Sequence, residues 1–570
     1  MKTHALLYMA LVLTVCLIPV QIAARTAGDP ADSTRKLLSD YSGEDVPGAA
    51  VMVMKDDDIL FRENYGMASL TYGIPVSNDT RHNIGSTSKQ FTCFAVALLA
   101  EEGKLSLDDD VRDHLPELPD FGHTVTLRNL MTHTSGYREF LNTLAMTGYY
   151  PGSPFKREKI IEIVQRQPEL QNIPGEEFNY NNTGYSLLTI VVERVSGDSF
   201  PEFLKNHVFE PAGMAHTVVR ERPAVIIPEG SQGYTPSDDG TFHETPDLYG
   251  AMGAGGIYTT MEDLAAWIRF LHDPGEEYER VVADLKTPFM LNNGESTQYG
   301  LGLFLGEYRG RTMIYHPGGD MAHRSMMVYF PDFNGAVVTQ SNHAAFPGSM
   351  AFQIADLFFQ DEFEPADEPA PLAEGAIPDD HAAQDRADTS RYAPEDFDAL
   401  TGRYELDAVP GFILSFYRDE DRIYTQASNQ PELDLEALSD STFRLIGVPA
   451  TITFHRNRDG SADSLTLHQN GRHLARRIVW QPDPDMLPRY AGNYFSDEIE
   501  TFCTIALEDD KLHLNSYWMD KRPLSAASED TFSAGSPLGN LNFIRNESGS
   551  ITGFEANIGR TKGIYFEKME

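Results

Sequence analysis

The chain of 570 residues is too long for one ordinary domain, and its 41% hydrophobic and 11% aromatic content suffices for several buried cores. That composition excludes a largely disordered protein. Acidic residues outnumber basic ones by 85 to 45, which gives a formal net charge of −40 at pH 7. A surface this negative repels nucleic acid and anionic lipid, so neither is expected as a partner.

The first residues have the pattern of a cleavable export signal. Lys2 supplies a positive start, Ala5 to Val20 form an apolar stretch, and small residues end at Ala24. The apolar stretch is short for a membrane span. We therefore predict a signal peptide over residues 1–24, a secreted or periplasmic protein, and no stable membrane anchor.

Two strand pairs bracket the next part of the chain. Residues 48–66 have the pattern of two strands around an acidic turn, and residues 324–342 that of a hairpin turning at Pro331 to Gly335. The segments between them are mainly helical. For residues 33–360 we expect an α+β fold, in which an antiparallel sheet formed by the two ends of the domain is flanked by helices.

Apolar residues recur with helical spacing in two of the intervening segments. The first covers residues 91–99 and ends at Gly103. The second covers residues 264–271 and follows Thr259-x-x-Glu262, which predicts a capping box at its start. Both helices are expected to pack an apolar face against the sheet.

The last third of the chain is an internal repeat behind a linker. Residues 361–391 are rich in proline, alanine and aspartate and poor in large apolar residues, which predicts a linker. Beyond it, FHRNRDGSADSL (454–465) recurs as FIRNESGSITGF (543–554). Because each copy consists of short alternating strands with tight turns, we predict two small antiparallel β-barrel domains, at 392–482 and 485–570.

The first chemical motif is Ser86-Thr87-Ser88-Lys89, at the start of the first apolar helix. Three-residue spacing places Ser86 and Lys89 on one face. The helix dipole and the apolar surroundings both disfavour a charged Lys89, so its amine would take the proton of Ser86 and activate it as a nucleophile. The alternative is a serine that caps the helix and a lysine exposed to solvent, and this short pattern alone does not decide between them.

Two further motifs follow. Tyr180 and Asn182 precede another apolar helix, where the phenol would relay the serine proton and the amide would hold the lysine and a substrate carbonyl. His316 lies before Gly318 and Gly319 at the start of a strand, where the glycines would let substrate backbone lie along the strand. Taken alone, a loop tyrosine, a capping asparagine and a structural histidine explain the same residues.

The order Ser-x-x-Lys, Tyr-x-Asn, His-x-Gly resembles the serine β-lactamase and penicillin-binding-protein superfamily, in particular class C β-lactamases, DD-peptidases, D-aminopeptidases and family VIII esterases. Three longer phrases are similar to the same branch: LRNLMTHTSGY (127–137), GAGGIYTTMEDLAAW (253–267) and YGLGLF (299–304). The resemblance covers residues 33–359. The repeated units resemble the lipocalin-like β-domains appended to D-aminopeptidase-like members.

The resemblance implies a role for each motif residue. Ser86 would be the acylated nucleophile, Lys89 and Tyr180 would share general-base and general-acid work, and Asn182 would orient Lys89 and the substrate. His316 would occupy the place where β-lactamases of this branch have a lysine. The acyl-enzyme would be hydrolysed by water, without a metal or cofactor.

The resemblance further implies an oxyanion hole formed by the amides of Ser86 and Gly319, with Gly318 and Gly319 binding substrate. Cys93 and Cys503 lie far apart outside the predicted signal peptide, so neither a disulfide framework nor a cysteine-based metal site is expected. The implied partner is a small-molecule or short-peptide substrate, and a homo-oligomer is left open.

Pro317 narrows the choice of substrate. Related β-lactamases and DD-carboxypeptidases usually have a hydroxyl residue there that helps bind the substrate carboxylate, and proline has no such donor. A D-aminopeptidase-like peptidase or an esterase is therefore favoured over a β-lactamase or D-Ala-D-Ala carboxypeptidase, unless His323, Arg324 or another cation binds the carboxylate. The alternative of another class is a non-catalytic cell-wall or ligand-binding sensor.

Overall fold

The computed structural model describes residues 29–149, 157–237, 239–246, 251–364, 392–407, 412–420, 422–427, 432–446, 450–469, 472–478, 482–535 and 537–569. The predicted signal peptide and most of the predicted linker lie outside these residues. In the described ranges, no helix is both long and apolar enough to cross a membrane.

The first unit contains an antiparallel central sheet and several short strand pairs. Its strands are β1 (Ala49–Lys55), β2 (Asp58–Tyr65), β3 (Met67–Ser69), β4 (Ile74–Pro75), β5 (His82–Asn83), β6 (Val218–Val219), β7 (Tyr234–Pro236), β8 (Phe242–Glu244), β9 (Ile257–Thr259), β10 (Phe304–Tyr308), β11 (Arg311–Gly319), β12 (Arg324–Phe330) and β13 (Gly335–Ser341). Among the described residues, the central sheet has the order β10-β11-β12-β13-β1-β2. Strands β1 and β13 pair from Ala49 with Ser341 to Lys55 with Gly335, which confirms a sheet formed by the two ends of the domain.

Helices cover both faces of this sheet. They are α1 (Pro30–Leu37), α2 (Lys89–Glu101), α3 (Val111–His114), α4 (Leu127–Met131), α5 (Phe140–Met146), α6 (Glu158–Arg166), α7 (Asn182–Ser196), α8 (Phe200–Leu204), α9 (Met261–His272), α10 (Glu279–Leu285) and α11 (Met350–Phe358). Because side chains alternate along a strand, Met52 of β1 packs in the core with α2, α7 and α9, whereas Val51 packs with α11 on the other face.

One predicted detail of helix α9 is wrong. Thr259 belongs to strand β9, and Thr260 caps the helix by accepting a hydrogen bond from the backbone N–H of Asp263. Glu262 instead pairs with Arg62 of β2. The capping residue therefore lies one position further along, because pairing of Thr259 with His82 keeps it in the strand.

Two β-barrels follow, as predicted. The strands of the first are β14 (Gly402–Leu406), β15 (Ile413–Asp419), β16 (Arg422–Ala427), β17 (Glu432–Ala437), β18 (Thr442–Leu445), β19 (Thr451–Arg456), β20 (Ala462–His468) and β21 (Arg472–Arg477). Pairing of β14 with β21 closes it. Its core includes Phe397, Tyr404, Phe416, Phe443 and Phe454.

The second barrel is a strongly curved sheet. Its strands are β22 (Gly492–Ser496), β23 (Thr501–Glu508), β24 (Lys511–Ser516), β25 (Met519–Pro523), β26 (Ser525–Ser528), β27 (Thr531–Gly535), β28 (Gly539–Arg545), β29 (Ile551–Ile558) and β30 (Thr561–Lys568). The order β25-β24-β23-β22-β30-β29-β28-β27-β26 places β25 and β26 at opposite edges. Leu524 alone separates these two strands in sequence, so the edges meet and the barrel is nearly closed.

Candidate active site

The turn that carries Ser86 leads directly into helix α2. Gly85 to Ser88 form a 3₁₀ turn, and the α-helix begins at Lys89. Residues three apart are eclipsed in a 3₁₀ turn, which places the two side chains side by side. Lys89 Nζ lies 2.9 Å from Ser86 Oγ, and Ser86 remains partly open to solvent.

The Lys89 amine is fully buried. Besides Ser86, it contacts Asn182 Oδ1 at 2.8 Å and the carbonyl oxygen of Ala254 at 2.9 Å, to both of which it donates. Burial, and after it the positive charge of Arg560, lowers the pKa of Lys89 well below its usual value. An amine in this state can accept the serine proton, as the motif predicts.

Tyr180 lies just before helix α7 with its ring against the lysine. Lys89 Nζ is 4.8 Å from the centre of the Tyr180 ring, and the His133 ring packs on it with 4.1 Å between centres. Burial raises the pKa of the Tyr180 phenol, and a hydrogen bond with Ser86 and the charge of Arg560 oppose that rise. The raised pKa keeps the phenol protonated near neutral pH, so it can donate a proton.

The orientation of the Asn182 amide is fixed by a residue that the sequence did not single out. Asn182 Nδ2 donates to Glu139 Oε1 at 2.8 Å, and the other oxygen of Glu139 accepts from the backbone N–H of Asn142 at 2.8 Å. Because a carboxylate can only accept, the amide nitrogen must face Glu139 and the amide oxygen must face Lys89. Glu139 thus positions the lysine through Asn182, and its charge raises the pKa of Lys89.

Strand β11 packs directly against the turn that carries Ser86. A Cβ atom at Gly318 would collide with the carbonyl oxygen of Ile84 and with Ser325 Oγ, so only glycine allows this approach. Thr87 Oγ1 adds a hydrogen bond of 3.1 Å to the carbonyl oxygen of His316. At Gly319 the nearest atom to such a Cβ would be Arg324 Nη1 at 3.5 Å, so packing does not require glycine there.

His316 is buried in the site as a neutral imidazole. Its Nδ1 lies 2.6 Å from the carbonyl oxygen of Pro317, which can only accept, and its Nε2 lies 3.1 Å from the hydroxyl of Tyr299. Nδ1 therefore carries the proton and Nε2 accepts from Tyr299. Burial, and after it the charge of Lys89, lowers the pKa of His316 to about 3. This residue supplies no positive charge at neutral pH.

The second barrel contributes a residue to the same site. The Arg560 guanidinium carbon lies 4.6 Å from the centre of the Tyr180 ring. Arg560 is exposed and stands in the two-residue turn between β29 and β30. The sequence gives no signal for this contact, because the residue is remote from every motif.

The structure thus brings together all five predicted catalytic residues: Ser86, Lys89, Tyr180, Asn182 and His316. It adds Glu139, Tyr299 and Arg560. Glu139 lies two residues beyond the end of the phrase 127–137, and Tyr299 opens the phrase 299–304. Glu139 and Tyr299 could therefore have been found from the sequence, because each lies in or near a phrase that is similar to the family.

Comparison with known proteins places this site in a family. The sequence model of the family described as Beta-lactamase matches residues 34–357. Penicillin-binding protein 4* of Bacillus subtilis (strain 168) is 26% identical over 441 residues, which cover 74% of this chain and 92% of that protein. A D-aminopeptidase of Brucella anthropi is 22% identical over 550 residues, which cover 94% of this chain and 97% of that protein.

A solved structure shares the fold. The octameric penicillin-binding protein homologue from Pyrococcus abyssi superposes with a TM-score of 0.53 at 23% identity, over 79% of this chain and 100% of that chain. The match to the family model covers more than half of the chain and includes the first-unit residues that meet at Ser86. This protein therefore belongs to the Beta-lactamase family and is a serine hydrolase related to penicillin-binding proteins.

Proposed function

We propose that this protein hydrolyses amide or ester bonds through an acyl-enzyme on Ser86. The observation that carries the proposal is the placement of a buried amine of lowered pKa at 2.9 Å from the Ser86 hydroxyl. A lysine in this state is a general base and not a surface cation. The partly open Ser86 leaves room for a carbonyl carbon to approach its oxygen.

The first half of the reaction uses three side chains. Lys89 accepts the proton of Ser86 as the serine oxygen attacks the substrate carbonyl. Tyr180, which shares a hydrogen bond with Ser86, passes a proton to the leaving nitrogen or oxygen. Removal of that proton from the phenol is balanced by the proton that Lys89 gained, so the pair returns to its starting charge.

The backbone amides of Ser86 and Gly319 would stabilise the tetrahedral oxyanion. Strand β11 is held against the Ser86 turn by the close packing at Gly318, which keeps the two amides in a fixed relation. Water then attacks the acyl-enzyme with Lys89 and Tyr180 in reversed roles. His316 and Tyr299 form the wall beneath Tyr180.

Within this reaction class we propose a D-aminopeptidase-like peptidase or an esterase, exported to the periplasm or beyond. One relative that spans nearly the whole chain is named D-aminopeptidase, which supports the first choice. Pro317 offers no hydroxyl for a substrate carboxylate, so a β-lactamase or a D-Ala-D-Ala carboxypeptidase would need another group to bind it. The predicted signal peptide supports export.

A substrate panel tests this assignment. We expect D-amino-acid amides or p-nitrophenyl esters to be hydrolysed with a kcat/KM at least tenfold above that for L-amino-acid amides or a chromogenic cephalosporin, with Ser86→Ala as the blank. Faster turnover of the cephalosporin would replace the proposal by a β-lactamase. Tight binding of a cell-wall fragment without turnover of any substrate would indicate the sensor instead.

A further inference from the structure

We propose that Arg560, supplied by the second barrel, is the specificity-determining residue of this site and selects substrates that carry a carboxylate near the scissile bond. The inference rests on the proposed function and names the substrate class for it. It concerns a cation that belongs to neither the three motifs nor the domain that carries them.

The position of Arg560 is built into the structure by its backbone. The carbonyl oxygen of Arg560 accepts from Gln171 Nε2 at 3.1 Å and from Asn179 Nδ2 at 3.0 Å, and its N–H donates to Asn142 Oδ1 at 3.1 Å. All three partners belong to the catalytic unit. The turn is therefore docked beside Tyr180 without using the arginine side chain.

Neighbouring contacts hold the rest of the hairpin. Thr561 Oγ1 donates to the carbonyl oxygen of Glu139 at 3.0 Å, and Lys562 Nζ lies 2.5 Å from Glu177 Oε1. Gly559, at φ +55°, occupies the first turn position, which is the usual glycine position in a tight hairpin of the II′ type. These contacts fix the position of residue 560 relative to Tyr180.

The other candidate cations of the site are engaged elsewhere. His323 Nδ1 lies 2.8 Å from Asp320 Oδ2, and His323 Nε2 lies 3.0 Å from Ser231 Oγ. Arg324 Nη1 donates to the backbone carbonyls of Asp320 and His323 at 3.0 and 2.8 Å. His316 is neutral and His323 is paired with Asp320, while Arg324 keeps its charge with Nη1 directed at backbone carbonyls.

Arg560 supplies a further cation beside Tyr180. Its side chain is exposed, and among the described residues no carboxylate forms an ion pair with its guanidinium. Glu177, which contacts the docked hairpin through Lys562, is paired with that lysine. A planar guanidinium beside the catalytic tyrosine is suited to bidentate binding of a substrate carboxylate.

Matched substrate pairs test the inference. On the leaving-group side, the acetate ester of 4-hydroxybenzoate is compared with phenyl acetate; on the acyl side, the mono-p-nitrophenyl ester of glutarate is compared with p-nitrophenyl butyrate. We expect at least one pair to favour the acidic member by about tenfold or more in kcat/KM, mainly through KM. This preference should fall as salt is raised.

Variants assign the preference to Arg560. Arg560→Gln should lower the acidic-to-neutral ratio to near one, Arg560→Glu should invert it, and Arg560→Lys should keep part of it. Arg458→Gln, an exposed arginine on the first barrel, is the matched control and should leave the ratio unchanged. A melting temperature equal to that of the wild type shows that the turn is still docked.

A ratio that Arg560→Gln leaves unchanged in both pairs would overturn the inference. So would a loss that is equal for acidic and neutral substrates, since that indicates a general effect on the proton donors. Failure of the proposed function is separate: in that case neither member of a pair is hydrolysed in a Ser86-dependent way.

Discussion

Lys89 illustrates how burial produces a reactive group. Its amine has three polar neighbours: the hydroxyl of Ser86 and two carbonyl-type oxygens, from Asn182 and Ala254. A neutral amine has two N–H donors for the two oxygens and one lone pair for the serine proton, so these neighbours satisfy its unprotonated form. Because the buried amine has lost its hydration shell, its charged form is disfavoured and its pKa is lowered.

The pH profile should reveal this state. Activity requires unprotonated Lys89, so kcat/KM for a neutral ester should rise with pH along an acid limb that reports the lysine pKa. Arg560 lowers that pKa and Glu139 raises it. Arg560→Gln should therefore move the limb to higher pH, and Glu139→Gln should move it to lower pH.

The measurement is a pH–rate profile for the wild type and both variants at constant ionic strength. The nearby Cys93 thiol is neutral in this range because burial raises its pKa to about 12, so it does not shift the limb. Shifts in the same direction for both variants would contradict the assignment of the limb to Lys89.

The motif residues were predictable because the members of each pair are only two or three residues apart, so local structure alone brings them together. Ser86 and Lys89 lie within one turn, and Tyr180 and Asn182 flank one helix start. The contact of Arg560 with Tyr180 was not predictable, since it depends on how separate domains dock.

At the scale of elements, the site depends on the contact between strand β11 and the turn that carries Ser86. Gly85, at φ +48°, allows that turn to approach, and a Cβ atom there would meet the backbone of Gly319. The sequence suggested that the glycines beside His316 leave space for substrate. At Gly318 the space is instead filled by the protein itself.

Two alanine substitutions separate these roles. Gly318→Ala should push β11 away from the Ser86 turn and destabilise the first unit by about 1–3 kcal/mol, as overpacking does. Gly319→Ala, where the added carbon has its nearest neighbour at 3.5 Å, should change stability by about 0.5 kcal/mol or less. Calorimetric melting of both variants is the measurement, and equal destabilisation would contradict the packing argument.

The hairpins and the main helices could be predicted because strand alternation and helical periodicity are local signals. The start of α9 was misplaced by one residue, because the choice between Thr259 and Thr260 depends on the pairing of β9 with β5, which local sequence does not encode.

At the scale of the molecule, the second barrel is joined to the catalytic unit by a buried ion pair. Arg138 Nε lies 2.5 Å from Glu498 Oε1, with side chains 2% and 7% exposed. Arg138 also donates to the backbone carbonyls of Lys562 and Gly563 next to the Arg560 turn. A second pair, Arg166 with Glu500, lies at the rim with 39% and 61% exposure.

Breaking each pair should have very different consequences. Arg138→Met leaves Glu498 buried without its partner and should cost about 3–5 kcal/mol of docking. Arg166→Met breaks an exposed pair and should cost about 0–1 kcal/mol. Calorimetry measures the effect, and the acidic-to-neutral substrate ratio should fall in Arg138→Met alone. Equal effects of both variants would contradict the proposed docking.

The sequence predicted two barrels from an internal repeat but not which one docks. The sequence has a Gly-Arg pair in both copies, Gly471-Arg472 and Gly559-Arg560, so the pair itself does not distinguish them. The choice is made by the surface around them, such as Glu498 and Thr561, which contact the catalytic unit.

The most direct test of the central claim is to locate the acyl group. The protein is treated with a fluorophosphonate or a penicillin, weighed intact and mapped by peptide mass spectrometry. We predict one adduct, on Ser86, which is lost in Ser86→Ala and kept in Ser231→Ala. Ser231 is the matched control because its hydroxyl contacts His323, whose other ring nitrogen contacts Asp320. An adduct that persists in Ser86→Ala, or is lost in Ser231→Ala, would contradict the account.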